Sequence, residues 1–578
     1  MLIHNDIPNR FYNKILNSSN VSTRVLIIAS LDVDSLCACR ILTELFSCDN
    51  ILCTLRPVAS DTQLYENYHK HRSEHKFVIF LNCGGNLDLS EALLDNDIEG
   101  QEDGLEDDFD DHNIELFILD SRRPIDLVNI HTEKAINVIL KEDDEISNDQ
   151  ESIPKLHEIY RDEEDYEDSD DEDFDKESWF KNREKILRNY SRFSFYSTSI
   201  TYTLFDMAYR MSKDTNELLW LAIIAIADQY HNCVITKEKY SSYMVALTAE
   251  QKRIINQMEK TNHKMSVNVL KIKDTFDLDL ALYRQWSIIE SLYHSPTTFI
   301  AFKLWSEKGQ SKLLKFLGDM GIPLEEAKQK FSCMKNEFVE EFKSLFIDSV
   351  GKHNISNTDT VKTFVASCGF QDEILAQDVV WSLNSLLKVH LHSESISSCS
   401  NSLQSKENSG ISSLNFDTEN NFNQAYSCLK GLHLQALSPG IADSKTMLHA
   451  IVSTIKNAIA SRDIQQIGSV LHYEMSKSNP DIESIAPFIQ VFTKILRDSF
   501  IKSLSVSRRQ IAIKLPMIAV LPALGDSLGG ASNGNEENRQ PGGDIAEEVS
   551  GTLANADERY VVYRQVWFLN IFIYKKIP

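Results

Sequence analysis

Residues 25–35 read VLIIASLDVDS, and this stretch decides the fold. The apolar run 25–29 is typical of a buried β-strand, and residues 36–46 after it follow a helical pattern. Asp32 and Asp34 lie between the two, in the loop that leaves the strand. Open α/β sheets carry their ligand sites outside the carboxyl ends of the strands. The stretch therefore predicts a strand–loop–helix unit of a parallel sheet, with two carboxylates at the place where such sheets bind ligands.

Two later junctions repeat this arrangement. Residues 77–81 read FVIFL and lead into Asn82, and residues 116–119 read LFIL and lead into Asp120. The carboxyl ends of parallel strands lie at one edge of a sheet, so we expect the three loops to converge there. The sequence thus predicts one polar site built from three loops.

The three junctions resemble the first three motifs of the DHH phosphoesterases, the superfamily that includes the RecJ exonucleases. In that superfamily an Asp-x-Asp, an Asp-x-Gly, an Asp-His-His and a later aspartate hold two divalent metals. Position by position, Asp32 and Asp34 match the first motif, Asn82 stands at the aspartate of the second, Asp120 matches the aspartate of the third, Ser121 and Arg122 stand at its two histidines, and Asp228 matches the later aspartate. The resemblance implies the scaffold of the superfamily with a depleted set of metal ligands.

This ligand set is too weak for a two-metal site. Two dications about 3.5–4 Å apart need carboxylates and imidazoles around them, whereas Asn82 offers a neutral carbonyl oxygen and Arg122 brings a positive charge. We therefore expect no catalytic residue, no bound metal and no cofactor, and we regard the aspartates and Asn82 as vestigial positions. Two roles stay open for the carboxylates: weak binding of one metal by Asp32, Asp34 and Asp228, or capping of helix N-termini.

A wider set of motifs is similar to the cell division control protein 45 family of eukaryotic replication factors. The matching stretches are residues 32–39, 81–84, 120–124, 211–214, 228–230, 282–287, 302–305, 316–324 and 376–380. The similarity runs from near the start of the chain to about residue 387 and continues more weakly to about residue 520.

This resemblance implies a non-catalytic factor of DNA replication initiation and elongation in the nucleus, bound to origins and chromatin during the cell cycle. The implied partners are the minichromosome-maintenance helicase ring, the GINS tetramer and other replication initiation factors, with this chain as a scaffold subunit of the fork helicase. The alternative is a metal-dependent DHH-type phosphoesterase or exonuclease with a reduced metal site. No Gly-x-x-x-x-Gly-Lys-Ser/Thr phosphate loop occurs in the sequence, so a helicase motor is not expected in this chain.

The charge is strongly acidic, with a formal net charge of −26 at pH 7 over 578 residues. Much of it lies in residues 95–111 and 142–177. This balance argues against a general nucleic-acid coating function, which depends on lysine and arginine. It does not exclude local binding of single-stranded DNA, for which the candidate contacts are Arg122 and Arg123 at the cleft and Arg508 and Arg509 on a second domain.

Compartment signals are few. The ten cysteines form no Cys-x-x-Cys pair, which fits a reducing compartment, the cytosol or the nucleus. Residues 1–10 lack the apolar run of a signal peptide, and the longest apolar stretch, 218–227, is too short to cross a bilayer. We expect no membrane partner.

We predict a mixed α/β protein in four segments. These are a DHH-like α/β domain with a parallel sheet at 1–228, a helical partner-binding region at 229–392, a serine-rich linker at 393–415, and a smaller α/β C-terminal domain at 416–578, similar to the DHHA1 domain of the superfamily. An acidic disordered insert at about 142–177 interrupts the first segment, as a solvated linker or as an interaction tail for basic partners. A disordered loop at about 525–558 interrupts the last.

The helical region carries large side chains at helical spacing, and we expect most of them to form core. They are Trp286, Ile289, Leu292, Tyr293, Phe299, Phe302 and Trp305. The stretch around residues 229–323 departs from a minimal phosphoesterase and is our candidate partner surface.

Overall fold

The computed structural model describes residues 2–4, 6–18, 24–90, 114–132, 135–141, 153–159, 176–192, 194–260, 270–353, 360–369, 373–387, 409–430, 434–476, 479–520 and 571–574. The chain divides into two compact units, Met1–Ala225 and Ile226–Pro578. The acidic segment 95–111 and the predicted loop at 525–558 lie outside the described residues.

A six-stranded sheet forms the centre of the first unit. Its strands are β1 (Leu2–Ile3), β2 (Arg24–Ser30), β3 (Leu52–Val58), β4 (His75–Leu81), β5 (Glu115–Leu119) and β7 (Ile136–Ile139). They lie in the order β1-β7-β5-β4-β2-β3, and every neighbouring pair is parallel. A separate antiparallel pair joins β6 (Arg122–Arg123) to β8 (Phe195–Tyr196).

The predicted parallel sheet is therefore confirmed, and the burial of its strands shows why the sequence is so apolar there. The five residues 25–29 of β2 are each 0% exposed. Strands of a parallel sheet are covered on both faces, so they need apolar side chains at consecutive positions rather than at alternate ones.

Helices follow the strands of the first unit. They are α1 (Asn13–Ser18), α2 (Val33–Cys48), α3 (Asp61–His71), α4 (Leu127–His131), α5 (Leu156–Ile159), α6 (Lys176–Tyr190) and α7 (Ile200–Arg210), and α8 (Asn216–His231) continues into the second unit. A π-helical turn covers Pro8–Tyr12, and a 3₁₀ turn covers Arg72–Glu74.

Part of the predicted disordered insert is packed, so that prediction is wrong for residues 153–159. Ile159 is 2% exposed and belongs to the core beside β4 and β5. The carbonyl oxygen of Ile159 accepts from Arg183 Nε at 2.7 Å, and that of Pro154 lies 2.9 Å from His131 Nε2. The prediction rested on the acidic composition of the whole segment. Ile153 and Ile159 within it are apolar and pack on the core. Residues 142–152 and 160–175 lie outside the described part of the chain.

The second unit is largely helical. Its helices are α9 (Lys237–Lys260), α10 (Ile288–His294), α11 (Pro296–Phe302), α12 (Glu307–Asp319), α13 (Leu324–Lys328), α14 (Asn336–Lys352), α15 (Ala376–Leu386), α16 (Ser409–Cys428), α17 (Leu434–Ser461), α18 (Ile482–Ile485), α19 (Ile489–Ser503) and α20 (Val506–Ala512). Single 3₁₀ turns cover Tyr283–Gln285, Phe331–Cys333 and Ala486–Phe488.

Two small sheets complete the second unit. An antiparallel sheet has the order β11-β10-β9, from β9 (Leu270–Leu278), β10 (Thr360–Cys368) and β11 (Ile374–Leu375). A mixed sheet has the order β12-β13-β14-β15, from β12 (Gln465–Ile467), β13 (Val470–Glu474), β14 (Met517–Val520) and β15 (Ile571–Tyr574).

The sequence analysis missed the first of these sheets, because it assigned a helical pattern up to residue 387. Charged residues in β9 lie between apolar ones, as in the start Leu270, Lys271 and Ile272, and this alternation is the signal of a half-buried strand. The helix α16 begins at Ser409, inside the range 393–415 that the sequence predicts as a linker. Residues 388–408 lie outside the described part of the chain.

Of the seven large side chains predicted as core in the helical region, three are buried and four, including Ile289, are half-buried, so the prediction holds for only part of the set. Leu292 and Phe299 are each 0% exposed, and Phe302 is 5% exposed. Trp286, Tyr293 and Trp305 are half-buried. In the described part of the chain no helix is both long and apolar enough to cross a membrane.

Candidate functional site

Asp32 and Asp34 lie at the start of α2, where β2 delivers them to the carboxyl edge of the sheet. Asp32 is the N-cap residue of α2, and its Oδ1 accepts from the backbone N–H of Ser35 at 2.6 Å. Capping is thus one confirmed role of the pair.

Asp34 holds the N-terminus of a different helix. Its Oδ1 accepts from Ser199 Oγ at 2.6 Å and from the Thr201 N–H at 3.1 Å, and its Oδ2 accepts from the Ile200 N–H at 3.1 Å. These donors belong to the first turn of α7 and its N-cap. A carboxylate is favoured there because the unpaired N–H groups and the helix dipole both attract negative charge. Asp34 therefore ties α2 to α7.

Asn82 is the hub between the two aspartates. Its Nδ2 donates to Asp32 Oδ1 at 3.2 Å and to Asp34 Oδ2 at 3.3 Å. Its Oδ1 accepts from the N–H of Ser121 at 2.8 Å and from its hydroxyl at 2.9 Å. A neutral amide has two donors and one acceptor oxygen, so every part of this side chain is bonded. The amide thus separates two carboxylates that an aspartate here would repel.

Asp120 lies at the carboxyl end of β5 and is 3% exposed. Its Oδ1 accepts from the Arg122 N–H at 2.9 Å, and its Oδ2 accepts from the Gly85 N–H at 3.3 Å. A Cβ atom on Gly85 would lie 2.6 Å from Asp120 Oδ2, so a residue with a side chain cannot stand there without displacing the carboxylate.

Arg122 supplies the positive charge of the cluster. Its Nη2 donates to the carbonyl oxygen of Asn82 at 2.5 Å and to Ser30 Oγ at 3.2 Å, and it lies 3.9 Å from Asp32 Oδ2. Burial acts to lower the pKa of Arg122, but the charges of Asp120 and Asp32 outweigh it and raise that pKa. The guanidinium stays charged inside the cluster and compensates the carboxylates around it.

Burial perturbs the carboxylates themselves. It raises the pKa of Asp34 above the usual range, with Asp32 adding to the rise and the hydrogen bonds from Ser199 and Thr201 opposing it. It also raises the pKa of Asp120, against the attraction of Arg122. Perturbed carboxyl groups cluster in active sites and in structural networks alike, and here each one has a structural hydrogen-bond partner.

The DHH resemblance implies a two-metal centre at these loops, and the residues present do not fit one. Both oxygens of Asp34 accept from the first turn of α7, and the Asn82 amide hydrogens point at the oxygens that would face a metal. The guanidinium of Arg122 lies beside Asp32, where a dication would meet a like charge. We derive no chemical step through a metal at this cluster.

The other predicted site residues are bonded to structural partners. Asp228 belongs to the second unit, is 5% exposed, and accepts through Oδ1 from Asn384 Nδ2 at 2.7 Å and from Asn232 Nδ2 at 3.0 Å. Arg123 is 3% exposed, and its Nη1 donates to the carbonyl oxygens of Asp120 at 2.6 Å and Arg122 at 2.9 Å.

The two predicted arginines of the second unit have different surroundings. The Arg509 guanidinium donates to the carbonyl oxygens of Ile501, Lys502 and Leu504 and so closes the C-terminus of α19. Arg508 is exposed. Nucleic-acid binding by the four arginines stays a prediction, and the geometry leaves Arg508 and the partly exposed Arg122 as the better placed of them.

Sequence reasoning missed Ser199 and Thr201, which complete the bonding of Asp34, and Ser30, which bonds Arg122. The first two lie about 165 residues from Asp34 in the chain. The local signal was present all the same, since Ser199 has the residue type of an N-cap just before a helical pattern.

The fold and the cluster together define the class of protein. It is a mixed α/β protein with a parallel sheet, in which an amide and a guanidinium of the same chain compensate the carboxylates at the strand ends. The CDC45 family model matches residues 25–185 and 175–494. The chain belongs to the CDC45 family. It is 30% identical over 543 residues to the cell division control protein 45 homolog of Mus musculus, covering 89% of this chain and 87% of that protein.

Two further relatives agree with this assignment. The cell division control protein 45 homolog of Homo sapiens is 29% identical over 543 residues, with 89% of this chain and 87% of that protein covered. The crystal structure of CDC45 from Entamoeba histolytica aligns over 91% of this chain and 87% of its own, with a TM-score of 0.61 and 20% identity, and shows the same fold. Membership of this family supports a role as a DNA replication factor.

Proposed function

We propose that this protein is a non-catalytic factor of DNA replication initiation and elongation, acting in the nucleus on chromatin. It serves as a scaffold subunit of the replicative fork helicase, together with the minichromosome-maintenance ring and the GINS tetramer. Support comes from membership of the CDC45 family and from the internally neutralised carboxylate cluster.

The observation that carries the proposal is the pairing of Asn82 and Arg122 with the carboxylates. A hydrolytic two-metal site needs open carboxylate oxygens and room for two cations. In this protein the Asn82 amide donates to Asp32 and Asp34, and the Arg122 guanidinium lies beside Asp32. The N-terminus of α7 also donates to Asp34. The cluster joins β2, β4, β5 and α7 and so has a structural role. We therefore assign the function of the protein to surfaces that bind partners.

The absence of catalysis is tested with purified full-length protein. Labelled single-stranded DNA and dinucleotides are incubated with it in Mn²⁺ and, separately, in Mg²⁺. We expect no turnover above that of an Asp32→Ala, Asp34→Ala double variant. Turnover by the wild type that the double variant lacks would establish the alternative, a DHH-type phosphoesterase with a reduced metal site.

That alternative rests on Asp32, Asp34, Asp120 and Asp228 as the remaining acidic ligands. The first three have their oxygens bonded within the first unit, and Asp228 accepts from two asparagines in the second. A metal would have to displace these donors before it could bind.

Binding of single-stranded DNA is compatible with the scaffold role. The exposed Arg508 and the partly exposed Arg122 are the candidate contacts. Phosphate contacts make binding depend on salt. An Arg508→Glu variant is expected to weaken binding of a labelled oligothymidine and to reduce its salt dependence. An Arg509→Glu variant, which disturbs the C-terminus of α19, shows how much loss of binding comes from damage to that helix. Equal binding by Arg508→Glu and wild type would remove Arg508 from the proposal.

The proposed partner surface lies on the helical region of the second unit. Within residues 229–323 three large apolar side chains are exposed: Val245 at 61%, Phe276 at 58% and Leu314 at 51%. Interfaces concentrate their binding energy in a few buried anchor residues, which are most often aromatic, so Phe276 is the strongest candidate of the three. We propose that these residues contact the helicase ring or GINS.

A further inference from the structure

Two helices of the second unit bring one glutamate and two histidines together. Glu290 and His294 lie four residues apart on α10 and so share one face of that helix. His449 lies on α17. One candidate ligand atom from each side chain lies within 4.8 Å of the other two. The imidazole rings of His294 and His449 have centroids 4.0 Å apart at an interplanar angle of 68°.

His294 is held in one position and one tautomer. Its Nδ1 lies 2.8 Å from the backbone carbonyl oxygen of Glu290. A carbonyl oxygen only accepts, so Nδ1 carries the proton and Nε2 keeps its lone pair. The indole of Trp286 stacks on the ring, with centroids 5.1 Å apart at 16°, and the histidine is 4% exposed. Histidines that bind metals are oriented in this way, by a hydrogen bond from the other ring nitrogen.

The charges around the cluster permit a cation. Two lysines are bonded to other partners: Lys456 donates to the Tyr293 hydroxyl and lies 4.5 Å from the centre of that ring, and Lys445 donates to the Gln285 carbonyl oxygen at 2.7 Å. Glu290 supplies the negative charge.

We propose that Glu290, His294 and His449 form a binding site for a divalent transition metal, for which Zn²⁺ is the best match. Two imidazoles and one carboxylate are a common zinc ligand set, and they leave a fourth position for water. Zinc–ligand bonds are about 2.0–2.2 Å long, so the cluster must contract around the ion. His294 is fixed, whereas Glu290 has 44% of its side chain exposed and His449 is exposed, so these two can move to meet it. Bound metal would join α10 to α17.

The test is zinc binding by the full-length protein after removal of metals with EDTA. Titration against a chromophoric zinc chelator, with a melting curve at each step, is expected to show one site that raises the melting temperature. We expect His449→Ala to abolish that site and Glu290→Gln to weaken it at least tenfold. His353→Ala is the matched control, because His353 pairs with Asp319 at 2.8 Å and belongs to no cluster of three ligands among the described residues.

Cysteine binding is separated by Co²⁺ substitution. Thiolate ligands give cobalt an intense charge-transfer band in the near ultraviolet, and a site of nitrogen and oxygen ligands gives none. Lys456→Met, which removes a like charge near His294, is expected to tighten zinc binding several-fold. Zinc affinity unchanged in a folded His449→Ala variant, or a thiolate band accounting for all bound cobalt, would overturn the proposal.

Discussion

At the scale of single residues, the cluster at the strand ends acts as a structural joint. The Asn82 amide donates hydrogen bonds to the carboxylates, and the Arg122 guanidinium supplies a compensating positive charge. Asp34 carries the most bonds, because it satisfies donors from the first turn of α7 as well as Asn82.

The two aspartates of the first motif therefore differ in their expected contribution to stability. Asp32→Ala removes one N-cap and is expected to destabilise the protein by about 0.5–2 kcal/mol. Asp34→Ala leaves several buried donors without an acceptor, each of which costs about 1–3 kcal/mol, so its melting temperature is expected to fall clearly further. Thermal unfolding of the full-length variants, followed by circular dichroism, measures both. An unchanged melting temperature in Asp34→Ala, with loss of activity in a replication assay, would instead indicate a ligand role.

The residues of this cluster were partly predictable from the sequence. The position of Asp32 before a helical pattern is a local signal, and it correctly gave the cap. The bonds of Asp34 depend on Ser199 and Thr201, and pairing across such a separation leaves no trace in local periodicity. The hub role of Asn82 also depends on the convergence of β2, β4 and β5, which supplies two of its partners.

At the scale of elements, runs of consecutive apolar residues predicted the strands correctly, whereas segments that mix charged and apolar residues were predicted wrongly. The consecutive apolar residues of β2, β4 and β5 specify buried parallel strands. The strand β9 alternates charged and apolar residues within a helical region, and its partner β10 lies about 90 residues further along. The helix α5 is short, and the acidic residues around it dominate the composition of its segment.

The helix α15 carries a buried acid that makes stability depend on pH. Asp378 is 1% exposed, and no donor among the described residues reaches either of its carboxylate oxygens. Burial raises its pKa to about 7, against the attraction of Arg284 and Lys445 and with the repulsion of Asp277. In the unfolded chain this pKa is about 3.9. The folded state therefore holds a proton that the unfolded state releases between these values, and the resulting stabilisation is lost as pH rises towards 7.

Asp378→Asn is accordingly expected to gain stability relative to the wild type as pH rises from 5 to 8. Melting temperatures of the two proteins at pH 5, 6, 7 and 8 measure the difference. Asp274→Asn, at an exposed position on β9, is the control and is expected to show no such trend. Parallel pH profiles for wild type and Asp378→Asn would show that Asp378 is ionised in the folded protein throughout this range.

The acidic insert of the first unit separates into parts with different expected effects. Deleting residues 153–159 removes Ile159 from the core and breaks its bond to Arg183, so the melting temperature is expected to fall. Deleting residues 160–175 removes a stretch whose composition cannot bury apolar area, so the melting temperature is expected to change little. Circular dichroism and thermal melts of both deletions make the comparison. Equal destabilisation would show that the acidic stretch itself contributes to folding.

At the scale of the whole molecule, the chain combines an acidic balance with a carboxylate cluster that is neutralised internally. A net charge of −26 makes general binding to nucleic acid unfavourable and favours partners with basic surfaces. The exposed apolar residues of the second unit add anchors for a protein partner. Both features favour assembly over catalysis.

The last prediction tests that assembly role directly. A triple variant, Val245→Glu, Phe276→Glu and Leu314→Glu, places charges on the proposed partner surface and leaves the buried core and Trp286 and Trp305 untouched. Loss of one interface hot spot costs about 2 kcal/mol or more, and a loss of 2 kcal/mol weakens binding roughly 25–30-fold. We expect pull-down with the purified minichromosome-maintenance ring and GINS to fail for the triple variant, with its melting curve unchanged. Leu52→Glu, at a position 56% exposed in the first unit, is the matched control and is expected to bind. Retained binding by the triple variant would exclude this surface, and failure of the wild type to bind either complex would contradict the scaffold role itself.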